Sequence, residues 1–487
     1  MNKALMIGIA IALSCAQLGV ATAAPAVPTS VAAQLEAMHT ALDAMQQQLV
    51  AQQRQIAAQQ TVLEALLTQQ AELRDKPAQL AQQQQSAINS LEQANSKARL
   101  NAQEQPKLTF PGNRPTISSF DGRSSIAVRA VVQLDAAHYR QSAAQPLASD
   151  FRRGSVGPTA NRETDGARDL SNGAYFRRAR FGVEGTMARV FNYKLIMELG
   201  GSGTEGPARI NDAWLAYTGH APLTLQLGAF APPANLEDST TPDDLLFIER
   251  ASSSELSRTL GGADGRLGVG LRAGGARWLG SLTLTNRTVN DAEVFDAQTA
   301  YVGRFGGLLA TGADYNLHGG VNGTYVVHPH DQGRSASSGR YGIRFRDRPE
   351  LRVDTTRFID TGTIDADHAY AAGLELAVNR RNWLLQAEHT WFGISRRAST
   401  LANPRFNGYY VEGSWVFTGE SHRYNAATAS YQSPRPFIPF DGQGGWGAFE
   451  LALRYSRADL DHDAGLAGVV PPADGVRGGV QSITLLA

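Results

Sequence analysis

One cysteine, Cys15, occurs in 487 residues, inside a segment that reads as an export leader. Past that leader there is no material for a disulfide, a cysteine metal site or a thiol nucleophile. As a lipid-attachment cysteine it lacks a leucine three residues earlier, where Ala12 stands. Lysine is scarce: only Lys3, Lys76, Lys97, Lys107 and Lys194, so 40 of the 45 basic residues are arginine. Arginine forks two hydrogen bonds onto phosphate or carboxylate at any pH, although codon usage in a GC-rich genome gives the same skew. Net charge is also missing, with 45 basic and 45 acidic residues. Bulk electrostatics therefore predict neither an acidic nor a basic partner. Mean hydropathy is −0.26, and no helix-length apolar run follows the N-terminus. That does not exclude a membrane, because barrel strands are half polar and each gives a weak signal. The motifs of catalysis are absent: no GxSxG, HExxH, Walker loop or GxGxxG opening a helix. His389 and Ser395 share a strand-like stretch without a third partner, and for the loop pair His328-Pro329-His330 a metal site is the weaker reading. No enzyme activity, cofactor or metal is expected. No nucleic-acid partner is expected either, since arginines do not interleave with aromatics on a soluble domain.

What is present divides the chain into four. Lys3, the apolar run Ala4–Leu13 and the small residues Ala21-Thr22-Ala23 form a secretory signal over 1–23. Residues 31–103 are rich in Gln, Ala and Leu, with no glycine and almost no aromatics. Leu35, Leu42, Leu49, Ile56 and Leu63 fall on one heptad position, and Met38, Met45, Leu66, Leu73 and Leu80 on the other. Alternate spacings of three and four place both sets on one helix seam, the pattern of an α-helical coiled coil. Gln52 and Gln59 interrupt it, Pro77 should break it, and a disordered Gln-rich linker is the alternative. The pattern leaves dimer and trimer equally open. Residues 104–124 read as a linker holding Pro106, Pro111 and Pro115.

From 125 to 487 the period changes to two. Ile126, Val128, Ala130, Val132 and Leu134 share one parity, and Arg129, Gln133 and Asp135 the other. Phe449, Leu451, Leu453 and Tyr455 oppose Glu450, Arg454 and Ser456 in the same way. Successive strand side chains face opposite ways. Strands are expected near 125–137, 175–187, 190–200, 208–218, 222–231, 265–274, 277–288, 299–310, 314–327, 368–379, 382–394, 407–418, 445–457 and 478–487. Charges on the polar parity, aromatics such as Trp383 and Trp415 near strand ends, and export favour a transmembrane antiparallel β-barrel over a soluble sandwich. In lipid such a sheet must close, since open edges are not tolerated.

The stretches YFRRARFGVEGT at 175–186, INDAWLAYTG at 210–219, LQLGAFAPPANLEDSTTPDDLLFIERA at 225–251 and FNGYYVEGSWVFTGESHRY at 406–424 resemble the phosphate-selective porin O and P family, in order. The resemblance runs from about Ile126 to the end. It implies a 16-stranded, homotrimeric outer-membrane barrel passing phosphate or polyphosphate, with lipid and lipopolysaccharide around it and the coiled coil in the periplasm. About 14 strands are present, and the chain stops at Ala487 where the family continues to an aromatic terminus, so a C-terminal truncation is expected.

The resemblance carries the family's pore arginines to Arg129, Arg177 and Arg178. By parity Arg178 and Arg180 face the lumen, while Arg177 has lipid parity and must turn inward or snorkel. Arg272 and Arg454 complete the expected anion pathway. The competing reading pairs each arginine with a wall acid such as Asp135 or Glu184. The stretch matching the family's pore loop has no lysine and instead carries Glu237, Asp238, Asp243 and Asp244, which oppose anions if they face the pore. The run Arg344–Arg352 could funnel anions or bind lipopolysaccharide phosphates. Alternatives to an anion channel are a porin for other solutes and a structural tether acting through the coiled coil.

Overall fold

The computed structural model describes residues 31–74, 85–97, 105–111, 114–140, 170, 172–201, 209–290, 295–333, 340–354, 356–466 and 471–487. The leader, Pro77 and Leu80 lie outside them. Two compact units result, Met1–Asn101 and Ala102–Ala487.

In the first unit, helix α1 spans Val31–Arg74 and α2 spans 85–97. Leu35, Met38, Leu42, Met45, Leu49, Ile56, Leu63 and Leu66 are each at least half exposed. An apolar seam with nothing packed on it is what a helix awaiting a partner shows. Neither helix is long and apolar enough to cross a membrane.

The second unit is mostly antiparallel sheet. A short hairpin, β1 (Lys107–Thr109) and β2 (Thr116–Ser118), leads into β3 (Ser125–Ala137), β4 (Gly173–Met187), β5 (Phe191–Glu198), β6 (Arg209–His220) and β7 (Leu223–Phe230). Helices α3 (Leu236–Ser239) and α4 (Ser252–Gly261) follow, then β8 (Arg266–Gly274), β9 (Trp278–Thr288), β10 (Thr299–Thr311) and β11 (Tyr315–His328). The two-residue strands β12 (Gly342–Ile343), β13 (Arg346–Asp347) and β14 (Ile359–Asp360) precede β15 (Ile364–Arg380), β16 (Trp383–Arg396) and β17 (Arg405–Val416). The hairpin β18 (Arg423–Asn425) and β19 (Ser430–Gln432) comes before β20 (Glu450–His462) and β21 (Val476–Leu486). Each of the fourteen segments expected to be a strand carries one. The stretch expected at 445–457 starts later, because Gly444 and Gly447 adopt φ of 130° and 79°, which turn the chain rather than extend it.

Long strands pair with their neighbours in sequence from β3 round to β21. Among the described residues no pairing joins β21 to β1. At one end of the sheet the connections β4–β5, β6–β7, β8–β9, β10–β11 and β15–β16 take two or three residues each. Those at the other end are longer, and the exception is 417–449, a long excursion at the short-turn end.

The outer parity is apolar: Leu225, Leu227, Val269, Leu271, Leu282, Val321, Leu374, Val411, Leu451 and Leu453 are all exposed. Near the short turns the exposed side chains become aromatic. Trp383 stacks on Trp415 at 5.4 Å, Trp415 meets Phe417, and Phe417 stacks on Phe449, both at 5.8 Å. Toward the other end Tyr301, Tyr325 and Tyr370 lie side by side across β10, β11 and β15. Two aromatic belts flanking an apolar band are the pattern expected of a lipid-facing sheet surface. An arginine at Leu453, in the middle of that band, should therefore cost about 2–4 kcal/mol, read by urea unfolding from lipid vesicles. An effect near zero would place this face in water.

Candidate functional site

Between β7 and β8 the chain leaves the wall and folds against the inner face of the sheet. The inner faces of distant strands all bond to it: Arg177 of β4 to Glu249, Thr285 of β9 to the Gly261 carbonyl (2.7 Å), Glu388 of β16 to the Leu236 and Glu237 amides (3.0 and 2.9 Å), and Gln481 of β21 to Ser252. A sheet whose strands from β4 to β21 reach one insertion curls around it.

The insertion is docked by satisfying groups that would otherwise be buried bare. Helix α4 has its first amides free of helical partners; Ala251 N donates to Glu237 (2.9 Å) and Ser252 N to Glu350 (2.9 Å). At its other end Gln298 Nε2 donates to the Leu260 carbonyl at 2.8 Å. Small residues let α4 approach the wall: a Cβ on Gly408 would lie 2.9 Å from the Ser253 Cβ. Leu256 and Leu260 face an apolar cluster with Ala300, Val326, Phe345, Ile359, Phe392, Ile394, Phe406 and Leu460. Glu255, Arg258 and Thr259, spaced to share the opposite face, line a cavity of about 950 Å³. Helix α4 thus partitions the interior into a packed apolar side and an open charged side.

A second element enters from the short-turn end. The hairpin β18–β19 is held by Arg304, which donates to the Thr428 and Ala429 carbonyls (2.7 and 2.8 Å) while paired with Glu375 at 2.8 Å. His318 bridges Glu375 and the Tyr424 hydroxyl. The hairpin touches the insertion where Ser430 Oγ donates to the Ser239 carbonyl at 3.3 Å and Ser433 N donates to Asp244 at 2.8 Å.

The cavity is cationic. Its lining carries nine basic residues, Arg177, Arg178, Arg180, Lys194, Arg209, Arg250, Arg258, Arg272 and Arg352. Among the described residues only four acids line it, Asp212, Asp238, Glu255 and Asp264. Every one of those acids is paired: Asp212 with Lys194 (3.2 Å), Asp238 with Arg258 (2.5 Å), Glu255 with Arg352 (2.7 Å), and Asp264 with Arg258 and Arg180 (2.6 and 3.1 Å).

Arg177 and Arg178 both face this interior because β4 bulges. Gln133 pairs with Arg178 and Leu134 with Phe176, leaving Arg177 as the extra residue. A bulge adds one residue to one strand and re-aims its side chains, so lipid parity does not govern Arg177. Phe176 stays 55% exposed on the outside. Arg177 pairs with Glu249, whose second partner is Arg352 at 3.1 Å. Arg178 bonds the Gln133 amide oxygen, and its Nε has no hydrogen-bond partner among the described residues. Arg272 makes no ion pair among them. Arg180 is committed to Glu198 (2.7 Å) and Asp264. Arg129 shares Glu184 (3.6 Å) with Arg114. Arg454 lies away from the cavity: it is buried under the insertion, paired with Glu237 (3.0 Å), Glu350 (2.6 Å) and Glu412 (3.5 Å), with its guanidinium 4.6 Å from the Phe247 ring centre.

Of the acidic loop residues, Glu237 binds Arg454 and the Ala251 amide, and Asp238 binds Arg258. Asp244 accepts from Thr241 and Ser433, and Asp243 is the exposed one. Asp264 and Arg250, which complete the site, were not singled out from sequence, and Arg352 entered only as the end of the Arg344–Arg352 run. Arg250 bonds the Glu237 and Thr240 carbonyls, Arg352 pairs with Glu249 and Glu255, and Asp264 with Arg258 and Arg180, contacts that no local sequence pattern marks.

Burial pushes the Glu249 carboxyl up, but the Arg352 and Arg177 guanidiniums outweigh it and hold it down at about 2. A depressed carboxyl stabilises the folded state above its ordinary value of 4.5, and that contribution is lost as pH falls toward about 2. Acid should therefore loosen the insertion from β4 across that window, followed by protease sensitivity at 231–264, and Glu249→Gln should already be loosened at neutral pH. Arg454→Met leaves three carboxylates without their cation and should cost about 3–5 kcal/mol in urea unfolding. Adding Glu350→Gln should recover part of it.

The model of the family described as phosphate-selective porin O and P matches residues 158–485. An uncharacterised protein of Caulobacter vibrioides is 27% identical over 317 residues, covering 62% of this chain and 58% of that protein. Porin O of Pseudomonas aeruginosa is 24% identical over 316 residues, covering 61% of this chain and 68% of Porin O. The match thus spans less than two thirds of the Caulobacter relative's length.

Proposed function

Because the chain belongs to the phosphate-selective porin O and P family, we propose that its sheet closes into an outer-membrane channel passing phosphate or polyphosphate anions. The observation that carries this reading is the cationic cavity, where nine basic side chains face four acids that are already paired. Arg178 and Arg272 are the lining arginines for which no carboxylate partner is seen among the described residues. A guanidinium with an unfilled donor offers an anion hydrogen bonds in place of water, and several such sites in series let the ion move on. Glu237 and Asp238 do not oppose this, since both are spent on arginines, and Asp243 is the exposed acid of the insertion. Anions would run from Arg129 past Arg177, Arg178 and Arg180 toward Arg272, with Arg454 holding the insertion in place. A porin for other solutes is the first alternative.

Within this reading the longer connections face outward and the short turns face the periplasm. Of the Arg344–Arg352 run, the exposed Arg344 and Arg346 would then lie at the outer mouth, near lipopolysaccharide, while Arg352 lines the cavity. The exposed heptad seam of α1 supports self-association, and we extend it to a homotrimer with a periplasmic coiled coil. A leader over 1–23 would deliver the chain there.

Planar-bilayer recording tests the channel. Anion preference and phosphate block of chloride current are expected, and Arg178→Gln should weaken the block roughly tenfold, the worth of one hydrogen bond to a charged group. Cation preference, or no block, would reject anion selectivity. Deleting 31–104 should leave conductance intact; loss of cell-envelope anchoring with conductance kept would favour the tether.

A further inference from the structure

The excursion 417–449 ends in a turn that none of the foregoing explains. Its residues Phe437, Ile438, Phe440 and Trp446 are between 66% and 76% exposed, more than Trp383, Trp415, Phe417 or Phe449 of the neighbouring belt. Four large apolar side chains this bare within one short segment are unusual on a water-facing loop.

The turn is built rather than loose. Asp441 Oδ1 accepts from the Gln443 and Gly445 amides at 2.7 and 2.9 Å, and Gly447 N donates to the Ile438 carbonyl at 3.2 Å. Gly442, Gly444 and Gly447 take positive φ, and Pro434, Pro436 and Pro439 stiffen the approach. Phe437 N is tied to Glu420 at 2.9 Å. The Phe437, Gln443, Gly445 and Gly447 amides and the Ile438 carbonyl are thus bonded within the protein while the rings point free. Arg435 and Asp441 are the segment's only charges from 434 to 448, and Asp441 is consumed by the turn.

The turn continues the short-turn aromatic belt. It runs into Phe449, which stacks on Phe417, which meets Trp415 and through it Trp383. Exposed aromatic side chains on a turn of partly bonded backbone suit the polar-to-apolar boundary between headgroups and acyl chains. We infer that the turn 437–446 is a membrane anchor that seats its rings in the phospholipid interface at the short-turn end. This rests on the reading of the sheet as an outer-membrane barrel.

The test uses the full chain with Cys15→Ser, carrying an environment-sensitive dye at Phe440→Cys or, separately, Trp446→Cys. The protein is reconstituted in phosphatidylethanolamine–phosphatidylglycerol vesicles. Val411→Cys, in the outer apolar band, is the control. A spin-labelled lipid quenching near the headgroup should remove roughly half the emission at both turn positions, as for a side chain sunk 5–10 Å into the interface, with aqueous iodide having little effect. Iodide quenching with no lipid quenching would put the turn in water and overturn the anchor. Protection from both quenchers would mean that protein covers it, which also overturns the anchor. If iodide quenches Val411→Cys and a lipid spin-labelled in mid-chain does not, the barrel reading itself fails; if the mid-chain label quenches Val411→Cys while the turn positions escape the headgroup label, only the anchor does.

Discussion

The interior of this sheet is organised around one buried guanidinium. Arg454 has no solvent access and meets Glu237 of the insertion, Glu350 of the loop before β14 and Glu412 of the neighbouring strand. A charge removed from water is tolerated only when paired and hydrogen-bonded, so its position dictates where the three glutamates sit. Through Glu237 it fixes the start of the insertion. Through Glu350, which also takes the Ser252 amide, it fixes the start of α4. Arg304 does the same for the second inward element, clamping Glu375 and two carbonyls of the β18–β19 hairpin. Backbone that leaves a sheet must satisfy its own polar groups elsewhere, and here wall side chains do so.

The strands were legible in the sequence because the side-chain period of two survives in every long one, from Ile126–Leu134 to Phe449–Tyr455. The inward placement of Arg178 and Arg180 followed from the same parity. Arg177 did not, since a bulge opposite Gln133 and Leu134 suspends parity for one residue. The roles of the acidic residues were not legible either. Glu237 and Arg454 are 217 positions apart, and only the curling of the sheet around the insertion brings them together. Read along the chain, Glu237 is a charge in a loop; in space it is a strut.

Helix α4 shows how ten residues perform two tasks. Its serines and leucines fit the wall tightly enough that Gly408 has no room for a methyl group, while Glu255 and Arg258 order the charges on the open side. Neither face is strong enough in apolar content to announce itself as a helix in isolation. Tertiary contacts decide it.

The partition made by α4 also divides the wall into two kinds of surface. Inward positions of β4 to β8 border open space, so a changed side chain there alters what can pass while the packing goes on undisturbed. Inward positions of β15 to β21 are wedged against the helix and the apolar cluster, where the same change is felt as a defect in a solid. Sequence drift in a lineage of such chains should therefore be free to retune the first group and held still in the second, so that selectivity can wander while the scaffold stands.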